Sequence, residues 1–227
     1  MITKPELILI DLDGTLVDSV PDLAYCVDEM MKRLGRPVHG EERVRNWVGN
    51  GVERLVRRAL SGCLDGEPDA GDFEIALPLF LDLYAKNNSR CSRLYPGVGE
   101  GLDYLREQGY RLGCVTNKAA RFTLPLLKDL GIDGAFRIVI PGDSLPKKKP
   151  DPLPLLHAAE ILGVKPADAL MIGDSRSDVE AARAAGFGIV CMSYGYNHGE
   201  DIRDYHPDAI LDSLTEIRGI LESATRT

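Results

Sequence analysis

From Pro96-Gly97 onward the chain alternates helical segments with short apolar runs. Residues 98–108 read as a helix stopped by Gly109, and Tyr110 to Val115 as a strand. Residues 119–130 read as a helix stopped by Gly131, and Phe136 to Ile140 as a strand. Residues 152–162 form the next helix, with Asp151 expected at its N-cap and Pro152 in its first position. Ala169 to Ile172, a helix over 177–185, Phe187 to Cys191, a short strand Ala209 to Leu211 and a helix over 214–223 complete the series. Strands separated by helices pair side by side in one direction. The expectation is therefore an α/β fold, a doubly wound parallel sheet with helices on both faces.

Leu7-Ile8-Leu9-Ile10 is apolar without alternation, as a strand buried on both faces must be. It runs into Asp11-Leu12-Asp13-Gly14-Thr15. In an open α/β sheet, ligands sit beyond the carboxyl ends of the strands. Two carboxylates set there repel each other by roughly 4 kcal/mol at about 4 Å and an effective dielectric near 20. A hard divalent cation such as Mg²⁺ suits oxygen ligands and would offset that repulsion. Gly14 leaves room for backbone N–H groups to approach an anion. The plainer alternative is an Asp-rich turn.

The other strand ends carry similar chemistry. Thr116-Asn117 closes one strand, and Gly173-Asp174-Ser175-Arg176-Ser177-Asp178 closes another. If a helix begins near Ser175, Asp174 caps it and Asp178 lies one turn on, on the same face. An ordinary acidic helix start would look alike, and Thr116 could simply cap the 119–130 helix. In Lys147-Lys148-Lys149-Pro150, only Lys149 precedes proline, which biases it toward an extended backbone. Lys149 is expected to point inward and the other two to face water. Four segments far apart in the chain thus bring acids, a hydroxyl and one lysine to the same rim.

Between the first strand and Pro96 the chain reads as helical, with an acidic, glycine-containing loop over 61–72. A crossover between parallel strands needs only one helix, so an inserted domain is expected: a helical unit over 16–91 on an α/β core made of 1–15 and 92–227. The alternative is that these helices merely cover the sheet. Gly49-Asn50-Gly51 opens a helix whose N-terminal N–H groups could receive a small carboxylate, with Arg54 adding charge. Alternatively the glycines only make a tight turn and Arg54 is solvated. Trp47 belongs to the helical core; His157 and His198 are given no role.

The formal net charge of -8 argues against nucleic acid or an anionic membrane as partner. Asp11, Asp13, Asp174 and Asp178 face a single lysine, so an anionic substrate requires the cation first. The five cysteines show no metal-ligand spacing, which points to free thiols and a cytoplasmic setting. No signal-peptide pattern opens the chain. No apolar run is long enough to span a membrane. Monomer and homodimer both remain open.

Asp11-Leu-Asp-Gly-Thr15, Thr116-Asn117, Lys149-Pro150 and Gly173-Asp174-x-x-x-Asp178, in this order, resemble the four motifs of the haloacid dehalogenase superfamily. The resemblance covers the whole chain, and the helical segment resembles that superfamily's small cap. Asp18-Ser-Val-Pro-Asp22, Trp47-Val-Gly-Asn-Gly51, Tyr194-Gly-Tyr-Asn197 and Pro207-Asp-Ala-Ile210 are most similar to its bacterial phosphoglycolate phosphatase branch. The resemblance implies Mg²⁺-dependent hydrolysis of a small phosphorylated metabolite, 2-phosphoglycolate, through an aspartyl-phosphate. It implies Asp11 as nucleophile and Asp13 as acid and base. Mg²⁺ would be held by Asp11, the Asp13 carbonyl and Asp174, with Asp178 orienting metal-bound water. Thr116 and Lys149 would hold phosphoryl oxygens. Gly14 and Asn117, with Asn50, Gly51 and Arg54 of the cap, would contact substrate. Other sugar phosphatases and a β-phosphoglucomutase-like mutase are rival expectations. A receiver-like signalling module is remoter, having no use for Asp13 or a long helical insert. A dehalogenase would need no metal.

Overall fold

The computed structural model describes residues 4–224 of the chain. In order, its regular elements begin with β1 (Leu7–Ile10), β2 (Val17–Asp18), α1 (Val20–Arg33), α2 (Glu41–Arg45), α3 (Val52–Ser61) and α4 (Ala70–Asn87). There follow β3 (Arg93–Leu94), α5 (Val98–Glu107), β4 (Arg111–Val115), α6 (Ala120–Asp129) and β5 (Ile138–Ile140). The chain continues through α7 (Leu153–Leu162), β6 (Ala169–Gly173), α8 (Arg176–Ala185), β7 (Gly188–Met192), β8 (Ala209–Leu211) and α9 (Ile217–Ala224).

Six strands form one parallel sheet in the order β5-β4-β1-β6-β7-β8. β1 lies between β4 and β6, with Ile10 level with Cys114 and Ile172. The strand order reverses beside β1, and the carboxyl ends on either side leave a crevice there. Alternation of side chains divides the core in two. Ile8, Ile10, Leu112, Cys114 and Ile172 pack on one face against Leu102 and Leu105 of α5, Leu126 of α6 and Leu221 of α9. Leu7, Leu9, Met171 and Ile189 pack on the other against Leu155 of α7 and Val179 and Ala182 of α8. This is the expected doubly wound α/β fold.

Helices α1–α4 bury a third set of side chains among themselves, including Val27, Met30, Trp47, Leu55, Phe80 and Tyr84. Phe122 of α6 and Tyr196 join this set. Where the chain leaves and re-enters the sheet region, β2 and β3 pair antiparallel, Val17 opposite Leu94. Two-residue strands are too short to show a period, so they escaped the sequence reading. The acidic loop is also shorter than expected. Asp69 accepts the Gly71 N–H at 2.8 Å, and α4 starts at Ala70. Pro152, not Asp151, is the N-cap of α7, because its carbonyl accepts the Leu156 N–H at 3.0 Å. Among the described residues, no helix is long and apolar enough to cross a membrane.

Candidate active site

Asp11 follows β1 directly, at the centre of the crevice. Its Oδ1 accepts the Leu12 N–H at 2.7 Å and lies 2.9 Å from Lys149 Nζ. Lys149, in the loop between β5 and α7, is buried as expected, while Lys147 and Lys148 are exposed. Its ammonium also donates to Asp178 Oδ1 at 2.7 Å and to the Val115 carbonyl at 2.8 Å. The other oxygen of Asp178 accepts the Ser175 N–H at 3.0 Å and the Ser175 hydroxyl at 2.7 Å. Ser175, rather than Asp174, is therefore the N-cap of α8, and Asp178 completes a capping box.

Freed from capping, Asp174 turns toward β1. Its Oδ1 accepts the Thr15 hydroxyl at 2.6 Å, and its Oδ2 accepts the Tyr196 N–H at 2.6 Å. Gly14 and Gly195 press against this carboxyl from two sides, and a Cβ on either would overlap it. The Gly14 N–H is spent on the Val17 carbonyl at 2.9 Å. Gly14 thus makes room for Asp174 instead of offering an N–H to an anion, because the Asp13–Val17 turn consumes its donor.

The electrostatics follow from burial. Desolvation raises the Asp11 pKa from 3.8 to about 7, since it outweighs the nearby Lys149 ammonium, and Asp178 adds to the rise. Asp174 is lifted well above the carboxylate range by burial, then by Asp178 and Asp11. Burial pushes the Lys149 ammonium down, but Asp11 and Asp178 more than reverse it and hold it above the ordinary lysine value. Carboxylate oxygens of Asp11, Asp174 and Asp178 lie within 4.8 Å of one another. Among the described residues no cationic side chain pairs with Asp174, which is 2 % exposed. A buried carboxylate with hydrogen bonds but no counter-charge, beside a second acid, fits a hard divalent cation.

Asp11 and Asp13 both line a cleft, with Thr116, Asn117 and Lys118 from the end of β4. Leu23, Val48, Gly49, Gly51, Val52, Leu55 and Tyr84 close its other side. Thr116 does not cap α6, whose N-cap is Ala119. Its Oγ1 accepts the Lys118 N–H at 3.2 Å. The Asn117 amide donates to the Gly49 carbonyl at 3.1 Å and the Lys149 carbonyl at 2.9 Å, tying the loop before α3 to the lysine loop.

Two expected cap contacts lie elsewhere. Asn50 faces a separate hollow with Arg58 and Arg176. Arg54 is taken by Glu67 and by the Leu64 carbonyl at 3.2 Å, with Asp65 at 3.6 Å. The acidic loop after α3 folds back and captures this guanidinium. Gly51 does stay in the wall, as the N-cap of α3 with φ 86°.

The sequence reading missed Lys118. Its ammonium lies 3.1 Å from Asp13 Oδ1 and 3.2 Å from Oδ2, and it donates to the Tyr84 hydroxyl. The Ser19 hydroxyl donates to Asp13 at 2.6 Å. Two buried lysines, not one, therefore face the acids. Its place directly after Thr116-Asn117 was the available signal, but a lone lysine in a loop reads as solvated.

Residues 8–192 match the sequence profile of the haloacid dehalogenase-like hydrolases, which spans the whole crevice. The chain belongs to the haloacid dehalogenase-like hydrolases. It is an enzyme of that family. It is 63% identical over 224 residues to a phosphoglycolate phosphatase of Nitrosococcus oceani, covering 99% of this chain and 100% of that one. A phosphoglycolate phosphatase of Nitrosospira multiformis is 49% identical over 218 residues, with 96% of each chain covered. The crystal structure of a predicted phosphoglycolate phosphatase from Haemophilus somnus 129pt superposes with a TM-score of 0.91 at 38% identity, covering 97% of this chain and 99% of that one.

Proposed function

We propose that this haloacid dehalogenase-like hydrolase is an Mg²⁺-dependent phosphomonoesterase that converts 2-phosphoglycolate to glycolate and phosphate. The observation that carries the reading is the pairing of Asp11 and Asp13 in the wall of one cleft, with Asp174 behind them. The substrate is supported by the full-length relatives that bear its name.

Asp11 Oδ1 is held by Leu12 and Lys149, and Oδ2 takes no hydrogen bond from the described residues. Oδ2 is thus the nucleophile that bonds to phosphorus as the ester P–O bond breaks, a covalent route of two easier steps. Asp13 gives its proton to the leaving glycolate oxygen, then takes one from the water that attacks the aspartyl-phosphate. That water releases phosphate and restores Asp11. Thr116 and Lys149 hold phosphoryl oxygens, and Asn117 fixes the Lys149 loop. The carboxylates of Asp11 and Asp174 and the Asp13 carbonyl would hold Mg²⁺. Bound Mg²⁺ supplies positive charge against the phosphoryl oxygens and between the acids.

We also propose that residues 16–91 act as a cap on a core formed by 1–15 and 92–227. The separate apolar cluster of α1–α4 and the β2–β3 pair at the junction support this division. Residues 1–3 and 225–227 of that core lie outside the described residues. Cap closure would keep bulk water from the aspartyl-phosphate.

The test is a panel of small phosphomonoesters with Mg²⁺, ranked by kcat/KM, with product analysis to separate hydrolysis from phosphosugar mutation. In Asp13→Asn the rate should fall by about 10²–10⁴. A fall of less than about threefold removes the acid–base role.

A further inference from the structure

The cleft poses a problem that the metal does not solve. Its cap side is apolar, made by Leu23, Val52, Leu55 and the ring of Tyr84. A substrate carboxylate stripped of water against such a wall needs a charged partner. Arg54 is held outside by Glu67, and Lys149, between Asp11 and Asp178, is assigned to the phosphoryl group. Lys118 is the cationic residue among the described residues that line the cleft, while the Lys148 ammonium lies at its edge, 3.1 Å from where a Gly51 Cβ would stand.

We propose that Lys118 recognises the carboxylate of 2-phosphoglycolate and is thereby the specificity-determining residue of the cleft. The inference rests on the substrate reading above. In that substrate a single methylene joins the carboxylate to the ester oxygen that leaves. Any group within hydrogen-bond reach of the acid that serves the leaving oxygen is therefore close to the carboxylate. Lys118 Nζ meets that condition, at 3.1 Å from Asp13 Oδ1. An ammonium has three donors. Both oxygens of Asp13 and the Tyr84 hydroxyl are its hydrogen-bond partners among the described residues, so a substrate carboxylate would take the place of one Asp13 oxygen. Its position is fixed before substrate arrives: the side chain is 3% exposed and lies over the Tyr84 ring, 4.8 Å from the centroid. A phosphate ester without the carboxylate would fill the same space without that contact.

The test separates carboxylate recognition from the contact with Asp13. Two non-hydrolysable probes are used with saturating Mg²⁺: 3-phosphonopropionate, which carries the carboxylate, and propylphosphonate, which lacks it. Calorimetry gives both Kd values for Asp13→Asn and for Asp13→Asn/Lys118→Gln. The double variant removes both charges and leaves no buried ion unpaired. In Asp13→Asn the carboxylate probe should bind more tightly than propylphosphonate by about 30-fold or more, the scale of one buried charge pair. In the double variant that preference should shrink to within about threefold. A preference that survives in the double variant overturns the assignment. Should Asp13→Asn bind propylphosphonate but show no preference for the carboxylate, the 2-phosphoglycolate reading fails, and Lys118 loses its role with it. A second readout uses Lys118→Gln alone, comparing kcat/KM for 2-phosphoglycolate and 2-hydroxyethyl phosphate. The ratio should fall about tenfold or more; an equal fall on both esters means that Lys118 serves only Asp13.

Discussion

Lys149 Nζ stands 2.7 Å from Asp178 Oδ1, and solvent reaches 2% of one side chain and none of the other. Asp178 is doubly committed, since its second oxygen anchors Ser175 at the start of α8. One carboxylate therefore fixes both the lysine beside Asp11 and the helix that follows Asp174. Asp178→Asn keeps the shape but removes an anion from a buried pair. Unfolding in denaturant should show a loss of about 3 kcal/mol. The turnover rate should fall about tenfold or more, because Lys149 loses the anion that, with Asp11 and the Val115 carbonyl, fixes its position.

The raised carboxylates set a pH dependence with a definite sign. Asp11 titrates at about 7 in the fold, against 3.8 when unfolded. The folded state thus holds this proton more firmly than the unfolded one, so metal-free protein loses stability as pH rises through that window. Each such carboxylate contributes at most about 1.4 kcal/mol per pH unit. Mg²⁺ held by the ionised acids, as proposed, would oppose the loss. The Tm gain on adding Mg²⁺ should therefore be small near pH 5 and grow up to pH 7, and chelation should abolish hydrolysis. A gain that stays flat with pH would place the cation away from Asp11 and Asp174.

Arg54 is a control on the substrate assignment. Its guanidinium pairs with Glu67 and Asp65, whose side chains are 61% and 90% exposed. Arg54→Ala should leave kcat/KM for 2-phosphoglycolate within about threefold and cost less than about 1 kcal/mol of stability. A KM that rises tenfold or more would show that the acidic loop releases Arg54 to the cleft when substrate binds.

Much of this arrangement is written locally in the chain. The apolar run Leu7–Ile10 leaves β1 nowhere to go but the middle of the sheet, and each strand end then delivers its own polar group to one crevice. Lys149 could be distinguished from its two neighbours because Pro150 restricts only the residue before it. What escaped notice depends on contacts between distant segments. Lys118 is buried because Tyr84, 34 residues earlier, covers it from α4. Arg54 stands outside the cleft because the chain 10 to 13 residues further on folds back to meet it. The roles of Asp174 and Ser175 at α8 turned on a one-residue helix boundary, which propensity does not resolve.

Gly14 offers a sharper test of how the acids are packed. It has φ 91°, and a Cβ there would overlap the carboxyl of Asp174. Gly14→Ala therefore combines backbone strain with a collision, at a cost of about 1–3 kcal/mol for the strained backbone alone. Gly163 has φ 64° at the C-cap of α7, with nothing within 4 Å of where its Cβ would stand. Gly163→Ala carries strain without collision. Both variants should lower Tm, but only Gly14→Ala should shift the Mg²⁺ concentration that half-activates hydrolysis, by about tenfold or more, since only there is Asp174 displaced. Equal shifts in the two variants, or none in Gly14→Ala, would mean that Asp174 does not hold the cation.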